Sequence, residues 1–257
     1  DADIAAINQA FLDHSVIVFR GQKLSQEDLL RVTSYFGPIG HMRRPPKYFP
    51  PGFDKILPNI MLISNIRENG EPIGALPDGE MMFHHDMIHS ANPDAATMLY
   101  SVEIPSHGGD TLFANSYAAY EALPQAMKDR IADLRVVHSF AVSMTNAGVE
   151  RTPETAAHWA SIPDQTHALV WAHKSGRKSL VISCHASHVV GMERAESDAL
   201  LAELMEWVTQ SRFVYRHKWT VGDMLIWDNT GVLHRAEAYP IGSGRMMHRT
   251  TLMGEEA

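Results

Sequence analysis

The chain has 257 residues, of which 45% are apolar and 20% charged, a composition typical of a single globular domain. Its net charge of −8 argues against a nucleic-acid partner, because binding to phosphates needs a basic surface. A single cysteine, Cys184, excludes an intramolecular disulfide and a four-cysteine metal site. With no apolar run of about eighteen residues and no basic start to a signal peptide, we expect a cytoplasmic protein without a membrane span.

The first sixty residues predict two helices, one strand and a long loop. Apolar residues recur at helical spacing over 2–13, and the run 16–19 is typical of a buried strand. Ser25, followed by two acids, predicts the N-cap of a second helix that ends near Tyr35. The proline-rich residues 38–58, which include Arg43 and Arg44, predict a loop of the kind that forms lids or binding segments.

The rest of the chain has the sequence pattern of an antiparallel β protein. Glycine, proline, asparagine and aspartate separate nine short β-type runs: Met61–Ser64, Ala96–Ile104, Thr111–Ala114, Leu134–Phe140, His167–Ala172, Ser179–Ser183, Phe213–Lys218, Asp223–Trp227 and Arg245–Leu252. Helical patterns interrupt this series at 115–133 and 195–210. We therefore predict one domain over 1–257, mainly β with helical additions, in which the strands form a jelly-roll barrel.

A His-x-Asp pair, His84 and Asp86, is the first candidate metal motif. On a β-strand the two side chains would share a face and could reach one metal. His234, just beyond a strong strand and a turn, is the best candidate for a third ligand. Two histidines and a carboxylate on one face of an octahedron leave open positions for O2 and a cosubstrate, which is typical of Fe(II) oxygenases. With fifteen histidines in the chain, however, a chance His-x-Asp is expected about once.

A pair of arginines makes the metal hypothesis more specific. Arg245 follows His234 by eleven residues, and Arg249 comes four residues later. A strand over 245–252 would place Arg245, Met247 and Arg249 on one face. A dicarboxylate that chelates iron through a keto-acid end has a second carboxylate several ångströms away, and a buried arginine is its natural partner.

Four motifs in order give the chain a resemblance to a known family. They are Phe83-His84-His85-Asp86, Gly108-Gly109-Asp110-Thr111-Leu112-Phe113, Trp227-Asp228-Asn229 with His234, and Arg245-Met246-Met247-His248-Arg249. Nearly end to end, the chain resembles the taurine dioxygenase and 2,4-dichlorophenoxyacetate dioxygenase family of Fe(II)/2-oxoglutarate enzymes. The resemblance implies a double-stranded β-helix fold, Fe(II), 2-oxoglutarate as cosubstrate and O2, with release of succinate and CO2.

The resemblance also implies roles for individual residues. His84, Asp86 and His234 match the iron ligands. Thr111 and Arg245 match the residues that hold the distal carboxylate of 2-oxoglutarate. Arg249 matches the arginine that meets the anionic group of the prime substrate.

Departures from the family pattern concern the substrate pocket. Phe83 stands where the family usually has tryptophan, and Met87 follows Asp86 where threonine or serine is usual. Glu80 replaces an asparagine that touches substrate in the taurine enzyme; it is either a ligand for a substrate amine or a solvated loop acid. These differences argue against taurine as the substrate, while Arg249 predicts a small anionic organic molecule, and the family suggests a homo-oligomer, either a dimer or a tetramer.

Two alternatives from other classes remain open at this point. A zinc hydrolase could use the same three ligands, but it would leave the spacing of Thr111 and Arg245 without a purpose. A non-catalytic jelly-roll sensor could keep an anion pocket, but it would not need a metal with open positions. Metal analysis, O2 uptake and succinate release distinguish the three functions.

Overall fold

The computed structural model describes residues 2–40, 55–75 and 82–254. Its helices are α1 (Ala2–His14), α2 (Gln26–Ser34), α3 (Ser116–Glu121), α4 (Gln125–Ile131), α5 (Phe140–Asn146), α6 (Pro153–Ala160) and α7 (Arg194–Val208). Its strands are β1 (Val16–Phe19), β2 (Met61–Ser64), β3 (Arg67–Glu68), β4 (Glu71–Pro72), β5 (Ala96–Glu103), β6 (Thr111–Asn115), β7 (Arg135–His138), β8 (Gln165–Ala168), β9 (Val170–Ala172), β10 (Lys178–Leu180), β11 (Ala186–Val189), β12 (Val214–His217), β13 (Met224–Asp228), β14 (Val232–Ala236) and β15 (Met246–Leu252).

The mainly β architecture with helical additions is confirmed. An antiparallel five-stranded sheet has the order β1-β13-β5-β15-β2, and a three-stranded sheet has the order β12-β6-β14. A second three-stranded sheet, β11-β7-β8, and the pairs β10-β9 and β3-β4 complete the set. Within the described ranges each of these sheets keeps two open edges, so no single sheet closes into a barrel.

The core between the first two sheets positions the site. On β13, Leu225 and Trp227 face inwards, while Met224 and Ile226 pack on the other side against a cluster that includes Leu29 of α2. The inward residues meet Phe113 of β6 from the opposite sheet. Alternate residues along each strand thus supply two different cores, as the pleat requires.

The outer face of the β12-β6-β14 sheet packs on helices. Ala114 of β6 and Leu233 of β14 join one buried cluster with Leu200 and Leu204 of α7. The second helix, α2, is capped as predicted: the side chain of Ser25 accepts a hydrogen bond from the backbone N–H of Asp28 in a complete capping box. Among the described helices, none combines the length and apolar composition that a bilayer span requires.

Several element boundaries differ from the sequence predictions. The predicted strand at 134–140 ends at His138, because Phe140 begins α5. The predicted strand at 167–172 is two short strands, β8 and β9, that lie in different sheets. Most of the proline-rich stretch, including Arg43 and Arg44, lies outside the described residues.

Candidate metal and anion site

The side chains of His84, Asp86 and His234 converge between the two packed sheets. One nitrogen from each histidine and one carboxylate oxygen all lie within 4.8 Å of one another, and all three residues are buried. Nε2 of His84 is 3.6 Å from Oδ1 of Asp86, and Nε2 of His234 is 3.7 Å from Oδ2. Two imidazoles and a carboxylate at this separation fit a divalent transition metal bound on one face.

The backbone that brings the two histidines together is a single β-bridge. His84 and His234 exchange hydrogen bonds of 3.0 and 2.9 Å between their main-chain N–H and C=O groups. His234 is the middle residue of β14, but His84 belongs to no regular strand, and a turn begins at Asp86. The predicted strand alternation therefore does not operate at 84–86; a bridge and a turn place this pair instead.

The ring of His84 is oriented for a ligand at Nε2. Its Nδ1 lies 2.8 Å from the carbonyl oxygen of Met82, so Nδ1–H donates there and Nε2 is left as the acceptor. The indole of Trp227 packs against His234, with ring centroids 4.6 Å apart.

Charge at the triad matches what a metal needs. Burial would raise the pKa of the Asp86 carboxyl, but the Arg249 guanidinium and the two histidines outweigh burial and hold this pKa well below its usual range. Burial also keeps the pKa of His234 well below its ordinary value. An ionised carboxylate and a neutral imidazole are the protonation states of metal ligands.

Arg249 lies at the metal end of the site. Its Nη2 is 2.9 Å from Oδ2 of Asp86 and 3.5 Å from Oγ1 of Thr97. Thr97, fully buried on β5, donates from its hydroxyl to the same Oδ2 at 2.7 Å. Sequence reasoning missed Thr97, because a threonine in a strand carries no signal of a side-chain partner on the preceding loop.

We call Arg245 and Thr111, the two residues that the sequence predicts to bind the distal carboxylate, the candidate anion end of the site. Arg245 is 3% exposed, and its guanidinium lies over the ring of Tyr239 at 5.1 Å. Among the described residues, no carboxylate lies within salt-bridge distance of Arg245. Burial lowers the pKa of this guanidinium, with Tyr239 opposing the shift. A buried cation without a protein carboxylate is the complement of an anionic ligand.

The hydroxyl of Thr111 is oriented by a tryptophan. Nε1–H of Trp219 donates to Oγ1 of Thr111 at 3.0 Å, and both residues are buried. Because the indole occupies an acceptor position, the hydroxyl proton of Thr111 is available for an anion. Trp219 was not singled out from the sequence, and its contact joins residues 108 positions apart.

The remaining sequence candidate, Glu80, lies outside the described residues. Of the other six, the structure brings His84, Asp86, His234 and Arg249 into direct proximity and buries both Thr111 and Arg245. The strand β15, whose pairing with β5 shifts register between Met246 and Met247, carries Arg249, and Arg245 directly precedes it.

The chain is similar to known proteins over nearly its whole length. The model of a family described as taurine catabolism dioxygenase TauD, TfdA family, matches residues 1–251. The alpha-ketoglutarate-dependent 2,4-dichlorophenoxyacetate dioxygenase of Cupriavidus pinatubonensis is 35% identical over 98% of this chain and 89% of that protein. The (S)-phenoxypropionate/alpha-ketoglutarate-dioxygenase of Delftia acidovorans is 30% identical over 99% of this chain and 87% of that protein.

A solved structure shows the same similarity in three dimensions. The crystal structure of AAD-2 in complex with Mn(II) and N-oxalylglycine superposes with a TM-score of 0.83 at 28% identity. The superposition covers 100% of this chain and 89% of that chain. The similarity therefore extends over the whole described fold, and the relative's crystal contains a divalent metal.

Proposed function

The chain belongs to the TauD/TfdA family and is a non-haem iron dioxygenase that uses Fe(II), 2-oxoglutarate and O2, and from that premise we propose a specific reaction and specific roles for its residues. The reaction is oxidation of a C–H bond of a small anionic organic substrate. In the hydroxylating form, substrate, 2-oxoglutarate and O2 give hydroxylated substrate, succinate and CO2.

One observation carries the assignment of the metal ligands. Donor atoms of His84, Asp86 and His234 converge within 4.8 Å in a buried part of the fold. We assign these three side chains as the iron ligands. Iron in such a site supplies the activation of O2 that couples decarboxylation of 2-oxoglutarate to oxidation of the substrate.

Arg245 and Thr111 are assigned to the distal carboxylate of 2-oxoglutarate. A guanidinium binds carboxylate through two parallel N–H donors, and the hydroxyl of Thr111 adds a third donor. Burial strengthens these interactions, because little water competes with them. The role of the two residues is to hold the cosubstrate in one orientation.

Arg249 is assigned to the anionic group of the prime substrate. Its guanidinium is next to Asp86 and largely buried, so an anion bound there lies close to the metal ligands. Carboxylates, sulfonates, sulfate esters and phosphonates all fit this charge. The names of the relatives favour an aryloxyalkanoic acid within that class. Glu80 remains a candidate for contact with a substrate amine.

The alternative functions are less well supported. A hydrolytic zinc site does not need Arg245, a buried arginine that pairs with no carboxylate of the described residues. A non-catalytic sensor does not need an intact metal triad. The fold that best accounts for the two packed antiparallel sheets is the double-stranded β-helix, in one domain over 1–257. A cytoplasmic location and a dimer or tetramer stay predictions, the latter open to light scattering coupled to size-exclusion chromatography.

The test is substrate-dependent release of succinate. The purified protein is incubated with Fe(II), 2-oxoglutarate, O2 and each member of a panel of small organic acids, and succinate is quantified. We expect release with at least one acid, and a loss of more than about 100-fold in His84→Ala, because a lost ligand costs more than the 10–100-fold of an outer contact.

His107→Ala is the matched control, since His107 is exposed and hydrogen-bonds only to the neighbouring Ser106 among the described residues. It should retain wild-type activity. Full succinate release and full iron affinity in His84→Ala would contradict the assignment of this ligand, and the absence of succinate with every acid would contradict the reaction.

A further inference from the structure

Two buried asparagines hold the backbone of site residues that lie where regular strand pairing stops. We propose that Asn229 is the positioning residue of the metal end, acting through Asp86, and that Asn65 is the positioning residue of the anion end, acting through Arg245. The inference rests on the proposed function, since it takes its two ligands, a metal ion and 2-oxoglutarate, from there.

Asn229 binds both main-chain polar groups of Asp86. Its Oδ1 accepts from the N–H of Asp86 at 2.7 Å, and its Nδ2 donates to the carbonyl oxygen of Asp86 at 2.7 Å. The second proton of Nδ2 goes to the carbonyl oxygen of Asp94 at 2.8 Å. Asn229 is 0% exposed, so these bonds face no competition from water.

The segment that contains Asp86 needs such a contact. Beyond the bridge between His84 and His234 the chain leaves the sheet, and Met87 has a φ of 53°. This left-handed conformation is unfavourable for a residue with a side chain and persists only when the surroundings impose it. The main-chain carbonyl oxygen of Asn229 also accepts a hydrogen bond from Nδ1 of His85 at 2.6 Å. Asn229 therefore binds both residues that follow His84, His85 through its backbone and Asp86 through its side-chain amide.

Asn65 makes an equivalent contact with Arg245. Its Oδ1 accepts from the N–H of Arg245 at 2.7 Å, and its own N–H donates to the carbonyl oxygen of Arg245 at 3.2 Å. Ser64 adds a hydroxyl donor to the same carbonyl at 2.8 Å. The Nδ2 group of Asn65 donates to the loop before Arg245, at the carbonyl oxygen of Pro240 and the hydroxyl of Ser243.

Arg245 directly precedes β15, at the end of the ladders that this strand forms. It follows Gly244, which has a φ of 74°, and the pairing of β15 with β5 shifts register between Met246 and Met247. The C=O of Arg245 still pairs with the N–H of Asn65 as in a ladder, but among the described residues no strand carbonyl pairs with the N–H of Arg245. The side chain of Asn65 binds the N–H of Arg245 instead. Asn65 is 1% exposed, so water does not compete for this hydrogen bond.

The two asparagines serve different segments, and this predicts separable effects. Removing the amide of Asn229 loosens Asp86 but leaves every contact of Arg245 in place. Removing the amide of Asn65 does the reverse. A residue with a merely structural role would instead reduce the binding of both ligands together, in step with stability.

The experiment measures metal and cosubstrate affinity separately in the full-length protein. Mn(II) affinity is measured by electron paramagnetic resonance, and 2-oxoglutarate affinity by isothermal titration at saturating Mn(II). We expect Asn229→Ala to weaken Mn(II) binding by about 10–100-fold and to change 2-oxoglutarate binding by less than about threefold. We expect Asn65→Ala to weaken 2-oxoglutarate binding by about tenfold and to leave Mn(II) binding within about threefold.

Two further variants separate positioning from stability. Ser197→Ala removes another fully buried hydrogen bond, to the backbone of Val189 beside α7, and should change neither affinity. Asn65→Asp keeps the acceptor for the N–H of Arg245, so its 2-oxoglutarate affinity should be closer to wild type than that of Asn65→Ala. Asn229→Asp loses the donor to Asp86 and should stay defective in Mn(II) binding.

The outcomes are distinguishable. Parallel loss of both affinities in each variant, or no loss in either, overturns the inference while the proposed function stands. If wild-type protein binds neither Mn(II) nor 2-oxoglutarate, the proposed function itself has failed. Should Asn229→Ala not fold, Asn229→Asp decides by the same criterion, and should Asn65→Ala not fold, Asn65→Leu, which keeps the side-chain size but has no acceptor, takes its place: separable losses support the inference and parallel losses overturn it.

Discussion

The two ends of the site bury groups of opposite charge: a carboxylate at the metal end and a guanidinium at the anion end. At the metal end, the carboxylate of Asp86 is already surrounded by donors, from Arg249 and Thr97. At the anion end, Arg245 is equally buried but has no carboxylate within salt-bridge distance among the described residues. The metal end therefore holds a negative group ready for a cation, and the anion end holds a positive group ready for an anion.

The comparison shows why burial has different consequences at the two ends. An isolated buried charge is unfavourable, so the protein surrounds Asp86 with its own partners. Arg245 instead has the face of Tyr239, which stabilises a cation without neutralising it. Because no carboxylate of the described residues pairs with this guanidinium, an anionic ligand that pairs with it gains binding free energy.

The largest effect that tests this comparison is expected from Arg245→Gln. The variant removes the only charge that we assign to the distal carboxylate, and truncating one partner of a buried charge pair costs about 2–5 kcal/mol. We expect the KM for 2-oxoglutarate to rise by about 30-fold or more, with Mn(II) affinity unchanged. Steady-state succinate release at varied 2-oxoglutarate measures the first quantity, and electron paramagnetic resonance measures the second.

Arg216→Gln is the matched control for this prediction. Arg216 is an arginine of β12 that is 54% exposed and paired with Glu237, so its loss should leave the KM for 2-oxoglutarate unchanged. A KM in Arg245→Gln equal to that of the control would remove Arg245 from the anion end.

An intermediate effect is expected from Arg249→Gln, which probes the boundary between the two ends. Arg249 contacts the metal-end carboxylate, but we assign it to the substrate anion. We expect the KM of the best acid in the panel to rise by about tenfold, which corresponds to one charge-assisted contact. Mn(II) affinity should not fall, because the lost guanidinium is a cation that repels a metal ion.

The matched control for Arg249→Gln is Arg235→Gln, an arginine of β14 whose guanidinium lies over the ring of Phe83. It should leave the KM of that acid unchanged. If Arg249→Gln weakened Mn(II) binding and spared the KM of the acid, Arg249 would belong to the metal end alone.

Local sequence patterns predicted many of the strands and helices that carry the two ends of the site. The run at Met61–Ser64 and the N-cap at Ser25 are as predicted, because apolar alternation and capping act over a few residues. The helix α6 was missed although Thr152 caps it and Pro153 occupies its first turn, a signal that the sequence contains. Short local signals thus account for elements, including one that was overlooked.

The contacts that finish the site could not be predicted in this way. The hydrogen bonds of Asn229 to Asp86 join residues 143 positions apart, and those of Asn65 to Arg245 join residues 180 apart. Such partners are set by how the strands pair and where the ladders end. A family motif indicated the triad, but the motif does not indicate that a bridge and a turn, rather than a strand, orient His84 and Asp86.

The smallest expected effect comes from Trp219→Phe, which refines the anion end without removing a charge. The indole N–H of Trp219 donates to Oγ1 of Thr111 and so directs the hydroxyl proton of Thr111 toward a ligand. A lost neutral hydrogen bond costs about 0.5–1.5 kcal/mol, so the KM for 2-oxoglutarate should rise by roughly 2–10-fold with Mn(II) affinity unchanged. Steady-state kinetics with wild-type protein, each single variant and the double variant Trp219→Phe/Thr111→Val give the coupling.

Trp207→Phe is the control for Trp219→Phe, because it also removes an indole donor, here a partly buried one that bonds the carbonyl oxygen of Ala119 on the helical side of the fold. It should leave the KM unchanged. Since Trp219 acts only through the hydroxyl of Thr111, the double variant should be no worse than Thr111→Val alone. Additive losses would mean that the indole and the hydroxyl contribute independently, and Trp219 would then be a packing residue of the inner core rather than a part of the anion end.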